Sequence, residues 1–81
     1  MMTPTDYVSN FIYEQYVRPA VERGNKTVTI SSCEVCNALH GVHNQDFIGA
    51  ILGSPQFRKA YGIALQSAEL AATETYTFRL D

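Results

Sequence analysis

The chain lacks the features of membrane-spanning, disulfide-stapled and disordered proteins. Its 81 residues include no tryptophan, two cysteines and 17% charged residues. No apolar run approaches the roughly 18–20 residues that a membrane-spanning helix needs, and the N-terminus lacks the basic and then apolar start of a signal peptide. Cys33 and Cys36 are too few and too close to staple distant segments. We therefore expect a cytoplasmic protein with reduced thiols and no membrane contact.

Positive charge is also scarce. Six Lys and Arg residues stand against eight Asp and Glu, giving a net charge of −2. Nucleic-acid-binding domains usually carry an excess of positive charge, so any binding to DNA would depend on a local group of residues. The apolar fraction of 46% is too high for a disordered segment and suffices for one small core. The composition predicts a single domain over residues 1–81.

The N-terminal segment predicts a long amphipathic helix. Thr3 suits the N-cap position, Pro4 the first helical position and Asp6 the first turn. Apolar residues then recur at helical spacing from Tyr7 to about Arg23. Pro19 removes one backbone donor inside this stretch, so we expect a kink there.

A strand and a second helix follow. The alternating, β-branched run from Lys26 to Ile30 predicts a short strand. Ser31 and Glu34 have the spacing of a capping box, which predicts that a helix begins at Ser32. The helix should be short, because Gly41 suits a left-handed C-terminal cap.

The rest of the chain predicts a third helix and a β-hairpin. Asn44 is suited to cap the third helix, and Ser54 with the following proline predicts a further turn or two ending at Gly62. Two final segments, 63–67 and 75–80, favour strands, the second by clear alternation. We expect these two strands to pair as a hairpin.

The resulting order of elements, α-β-α-α-β-β, resembles the winged helix-turn-helix fold over nearly all of residues 3–81. The resemblance implies an α+β domain of three helices and a small antiparallel sheet. It depends most on the apolar positions of the second and third helices and on the turn between them. These residues are Val35, Cys36, Leu39, the turn 40–43, Ile48 and Ile51.

The resemblance also implies a function. In winged helix-turn-helix proteins the third helix enters the major groove of double-stranded DNA. Asn44 and Gln45 would then bond base edges, with Gly49 beside them, and Arg58 and Lys59 would contact phosphates. The implied protein is a small transcriptional regulator. In the alternative interpretation, Asn44 only caps its helix and Gln45 is an ordinary solvated side chain. Arg58 and Lys59 are then a solvated basic pair.

Acidic residues argue against DNA. Asp46 lies in the first turn of the third helix, where phosphates would repel it. The hairpin region 66–77 contains Glu69 and Glu74 but no Lys or Arg, so it cannot neutralise phosphates. A winged-helix module that binds protein and not DNA is therefore the second interpretation.

The cysteines and histidines are residue types that bind metal ions, but their spacing does not suit a single metal site. Cys33, Cys36, His40 and His43 read as C-x2-C-x3-H-x2-H. On one continuous helix the first and last would be about 15 Å apart, too far to share one ion. We expect no metal site and no cofactor, while a reversible disulfide between the two cysteines stays open.

Sequence motifs of catalysis are missing. The chain has no glycine-rich phosphate loop and no serine nucleophile motif, and its length leaves little room for a cleft that excludes water. We expect that it is not an enzyme.

The first helix is rich in aromatic residues. Tyr7, Phe11, Tyr13 and Tyr16 supply more aromatic surface than one face of a small core absorbs. We therefore expect a homodimer formed through the first helix, with Tyr13 and either Val17 or Tyr16 lining its interface. The alternative is that the tyrosines lie at the edge of the core.

Overall fold

The computed structural model describes residues 3–69 and 74–80, beginning with one long helical stretch. Helix α1 (Pro4–Ile12) starts at Thr3, whose hydroxyl accepts a hydrogen bond from the Asp6 amide while the Asp6 carboxylate accepts one from the Thr3 amide. A π-helical segment (Tyr13–Val17) follows and leads directly into α2 (Arg18–Glu22). The predicted N-terminal cap is confirmed.

The π-helical segment lies just before Pro19, where the sequence predicted a kink. A proline ring crowds the carbonyl four residues earlier, which is that of Gln15. In the wider π turn the Arg18 amide donates to the Tyr13 carbonyl, five residues back, and such turns accommodate interruptions of the regular helix. The chain therefore continues in helical form to Glu22.

Three strands form one antiparallel sheet in the order β1-β3-β2. They are β1 (Thr27–Ser31), β2 (Ala64–Glu69) and β3 (Thr75–Arg79). Arg79 pairs with the first residue of both β1 and β2, and Thr75 pairs with the last residue of both. Gln66 is the extra residue of a bulge in β2. The predicted hairpin is confirmed, and its connection at 70–73 lies outside the described residues.

The sheet has one covered face and one open face. Ile30, Tyr76 and Phe78 point inward and are buried. On the other face the hydroxyls of Thr29 and Thr77 lie 3.1 Å apart across neighbouring strands. This alternation is what a strand with one solvated face requires.

Helix α3 (Ser32–Ala38) begins where the sequence predicted. The Ser31 hydroxyl accepts a hydrogen bond from the Glu34 amide at 3.4 Å. The end differs from the prediction by one residue, because His40 takes the left-handed position with φ of 57°, followed by Gly41 at 72°. Histidine is among the few non-glycine residue types that adopt this conformation with some frequency.

Two backbone hydrogen bonds close the end of α3. The Gly41 amide donates to the Cys36 carbonyl and the His40 amide to the Asn37 carbonyl, both at 3.0 Å. This is the Schellman pattern, in which the first left-handed residue follows the C-cap. The C-cap is Leu39, which is buried in the core.

Helices α4 (Gln45–Leu52) and α5 (Pro55–Tyr61) are separate elements. Asn44 caps the first, and the Ser54 hydroxyl caps the second by accepting from the Phe57 amide at 3.2 Å. Gly62 ends α5 with φ of 66°. The expectation of three helices is therefore too low, since α5 is an independent helix with its own cap.

The core lies between the helices and the inner face of the sheet. Every described helical segment contributes to it, with the π-helical segment supplying Val17. Its buried apolar residues are Val8, Ile12, Val17, Ala20, Ile30, Val35, Leu39, Ile48, Ile51, Leu52, Phe57, Ile63, Tyr76 and Phe78.

Candidate functional site

The first residues of α4 serve the helix itself. The Asn44 side-chain oxygen accepts a hydrogen bond from the Phe47 amide at 2.7 Å. Bidentate contact with adenine needs both the oxygen and the nitrogen of the amide, so the Asn44 oxygen would have to accept a second hydrogen bond beside its capping bond. Gln45 is half-buried and the neighbouring Asp46 is exposed, which puts a carboxylate on the open side of this helix turn.

Gly49 lies on the buried side of α4, away from the face on which base edges were expected. A Cβ atom at this position would collide with the Glu74 carboxylate and lie 3.5 Å from the Tyr76 hydroxyl. Glycine is needed here because it lets the start of β3 approach the helix. We therefore leave Gly49 out of any surface that meets a partner.

Arg58 and Lys59 occupy the last turn of α5, which leads into β2 across two residues. Arg58 is half-buried and Lys59 is exposed. Arg79 lies opposite the first residue of β2, and the Lys26 carbonyl accepts from the Leu80 amide at 2.9 Å. Four cationic residues thus belong to one end of the sheet.

Acidic residues belong to the opposite end of the sheet. Glu69 is the last residue of β2, and Glu74 directly precedes β3. The Glu74 carboxylate accepts a hydrogen bond from the buried Ser32 hydroxyl at 3.4 Å, and its carbonyl accepts from the Ser32 amide at 3.1 Å. The sheet therefore carries positive charge at one end and negative charge at the other.

The cysteines and histidines do not form a metal site among residues 3–69 and 74–80. The Cys36 thiol donates to the His43 carbonyl at 3.2 Å, and the His43 ring stacks on Phe47 with centroids 5.1 Å apart. Both cysteines are half-buried free thiols. These contacts fix the turn between α3 and α4.

The aromatic residues of the first helical stretch pack mainly within the chain. Tyr13 stacks on Tyr61 of α5 with centroids 4.5 Å apart, and Tyr61 meets Phe57 edge to face at 5.3 Å. Val17 is completely buried, so it cannot line the predicted dimer interface through the first helix. Tyr7, with 51% of its surface exposed, is the most open of these aromatics.

Burial raises the pKa of the Tyr61 phenol above its usual value, and the nearby Asp6 and Glu14 carboxylates and Tyr13 add to the increase. The pKa of Tyr16 is raised by burial and then by Glu34. Both phenols therefore stay protonated and neutral at physiological pH.

A cleft of about 460 Å³ runs between α1 and α5. Its floor includes Phe57, which is 3% exposed. A smaller hollow of about 200 Å³ continues it toward α4 and shares three of its lining residues. The cleft is lined by Thr5, Asp6, Ser9, Asn10, Ser54, Gln56, Phe57, Ala60 and Tyr61, and the hollow by Thr5, Phe47, Ala50, Ile51, Ser54 and Gln56.

The α1–α5 cleft was not predicted from the sequence. Its only local signal is the polar row formed by Thr5 and Asp6 with Ser9 and Asn10, four residues later on the same side of α1. That row is typical of any solvated helix face. What turns it into the wall of a cleft is the position of α5, which depends on long-range packing.

The chain matches no protein-family model, no curated protein and no solved structure. Within the described part of the chain, none of the helices combines the length and the apolar character needed to cross a membrane. The α1–α5 cleft and the charge distribution are thus the observations that bear on function.

Proposed function

We propose that this domain is a winged helix-turn-helix that binds a peptide segment of another protein in the α1–α5 cleft. The order of its elements and the strand order β1-β3-β2 support the winged-helix assignment. Helix α5, inserted between α4 and the hairpin, is an addition to the expected pattern. A cytoplasmic location belongs to the same proposal, since both thiols are free.

The lining of the cleft carries the proposal. Phe57 offers a buried apolar floor, the exposed Ala60 lies beside it, and hydroxyl and amide side chains such as Ser9 and Asn10 complete the lining. An apolar centre with a polar rim is the usual composition of a protein-binding surface. The apolar floor would hold a small apolar side chain, and the rim would bond the peptide backbone.

The charge of the cleft indicates which peptides it would accept. Among the described residues that line it, Asp6 is charged and no Lys or Arg is present. Phosphates and acidic peptides would gain nothing there, whereas a neutral or basic peptide would gain from the carboxylate. We therefore expect a partner segment with a small apolar anchor and at least one basic residue.

The test is selection of binding peptides followed by measurement of their affinity. Random displayed peptides are selected on the purified protein, and the enriched sequences are synthesised with a fluorophore and titrated by anisotropy. Ala60→Trp fills the cleft and should weaken binding at least about tenfold, as expected for loss of a central contact. Val42→Trp is the matched control, because Val42 is 76% exposed on the α3–α4 turn.

Two results would contradict the proposal. One is the absence of any enriched peptide. The other is an equal effect of Ala60→Trp and Val42→Trp on affinity. Amide chemical-shift changes on peptide binding should centre on Ser9 of α1 and Gln56 of α5, which both line the cleft.

DNA binding by a transcriptional regulator is the second candidate, favoured by the basic residues at one end of the sheet. Arg58 and Lys59 would contact phosphates and Gln45 a base edge, with Asn44 retained as the cap. Binding of a labelled mixed-sequence duplex should then weaken with salt, and R58A/K59A should reduce the salt slope by about 2, one for each phosphate contact. No binding at low salt would eliminate this candidate.

A further inference from the structure

We propose that the outer edge of β2 pairs with the same edge of a second copy of this chain, making one six-stranded antiparallel sheet around a two-fold axis. Among the described strands, β2 pairs with β3 alone and lies at the end of the order β1-β3-β2. Residues 66–69 are exposed. The strand contains neither lysine nor proline, the residues that usually protect such edges from pairing.

The side chains define a register for this pairing. With the two-fold axis between Gln66 and Ser67, Leu65 comes to lie opposite the partner's Ala68. Leu65 and Ala68 both face the helical side of the sheet, since they pair with Phe78 and Tyr76 of β3. Two symmetric apolar pairs then extend the covered face across the axis.

Charge complementarity selects a second copy as the occupant. In the same register Ala64 lies opposite the partner's Glu69. Arg79 is the β3 neighbour of Ala64 and, like Glu69, points to the open face. Its Cα is then two strand spacings, about 10 Å, from that of the partner's Glu69, a separation that two long side chains can bridge.

The opposite charges at the two ends of the sheet strengthen this argument. An antiparallel arrangement sets the end that carries Lys26 and Arg79 beside the partner's acidic end. The bulge at Gln66 limits the number of backbone hydrogen bonds across the axis. The interface is therefore small, and the dimer dissociates at moderate protein concentration.

The experiment is sedimentation equilibrium of the full chain at low salt, from about 10 μM to about 1 mM, the range of weak association. The native protein should show a monomer–dimer equilibrium. Ser67→Lys places two lysines beside the axis and should raise the dissociation constant at least about tenfold. Thr29→Lys adds the same charge to the open face of the far edge strand and should change it less than about threefold. Circular dichroism confirms that each variant is folded.

Charge exchange provides the decisive comparison. Glu69→Arg and Arg79→Glu alone should each raise the dissociation constant about tenfold, because each replaces two symmetric attractions with repulsions. The double variant E69R/R79E should return to within about threefold of the native value. A protein that stays monomeric at every concentration would overturn the proposal. A dimer whose dissociation constant does not change with Ser67→Lys would also overturn it. So would a double variant E69R/R79E in which the effects of the two single exchanges on the dissociation constant add and do not compensate.

Discussion

The substitution Gly49→Ala should have two opposing effects on the free energy of unfolding, one from helix propensity and one from a steric collision. Gly49 lies inside α4, where replacing glycine with alanine normally stabilises a helix by about 1 kcal/mol. Here the new methyl group would collide with the Glu74 carboxylate, which must move and give up its 3.4 Å hydrogen bond from Ser32. Loss of a hydrogen bond costs about 1 kcal/mol. The two terms nearly cancel, so the free energy of unfolding should stay unchanged or fall by up to about 1 kcal/mol.

The variant Glu74→Ala removes the obstacle and isolates the helix term. Alanine keeps a Cβ at residue 74, so the strain of its positive φ of 45° is the same in both backgrounds. Gly49→Ala should then stabilise the protein by about 1 kcal/mol, which is a rise of about 4–8 °C in Tm for a domain of this size. The coupling between the two sites should therefore be about 1 kcal/mol or more.

Thermal and urea unfolding followed by circular dichroism measure these changes. Gly53→Ala is the control, since a Cβ there meets its nearest neighbour, the Gly49 carbonyl, at 3.4 Å and has no Glu74 atom within 4 Å. Its effect should be the same with and without Glu74. If Gly49→Ala had the same effect in both backgrounds, the close approach of β3 to α4 would not be what requires glycine.

Two further predictions concern stability. His40→Gly should stabilise the protein by about 1 kcal/mol, because glycine adopts the observed φ of 57° without strain. Gly62→Ala, at φ of 66°, should destabilise it by a similar amount. Urea titrations in which both substitutions change the free energy of unfolding in the same direction would contradict this. The pKa values of Tyr16, Tyr61 and Tyr76 are raised above 10.0, chiefly by burial. The unfolded chain therefore loses these protons first, and the free energy of unfolding should fall as pH rises above about 10. Tyr61→Phe should make that fall shallower, and an unchanged pH profile would refute the assignment.

The helix caps were readable from the sequence because each depends on residues within one turn. Thr3, Ser31, Asn44 and Ser54 all accept a hydrogen bond from the amide three residues later. The alternating pattern of β3 was readable for the same reason, since the inward and outward directions of a strand depend on neighbouring residues alone. The left-handed residue that ends α3 is His40, one residue before the predicted Gly41, which is also left-handed; the C-cap before it, Leu39, is buried in the core.

The tertiary structure alone decided which of these elements meet. The sequence places Gly49 in a helix, but only the packing of α4 on β3 brings it against Glu74, 25 residues later, and removes it from the expected DNA-facing surface. The separation of charge likewise follows from the pairing of Arg79 with the first residues of both β1 and β2. The α1–α5 cleft joins residues about 50 positions apart in the chain. Long-range packing determines such contacts, whereas periodicity and capping preferences act only over a few residues.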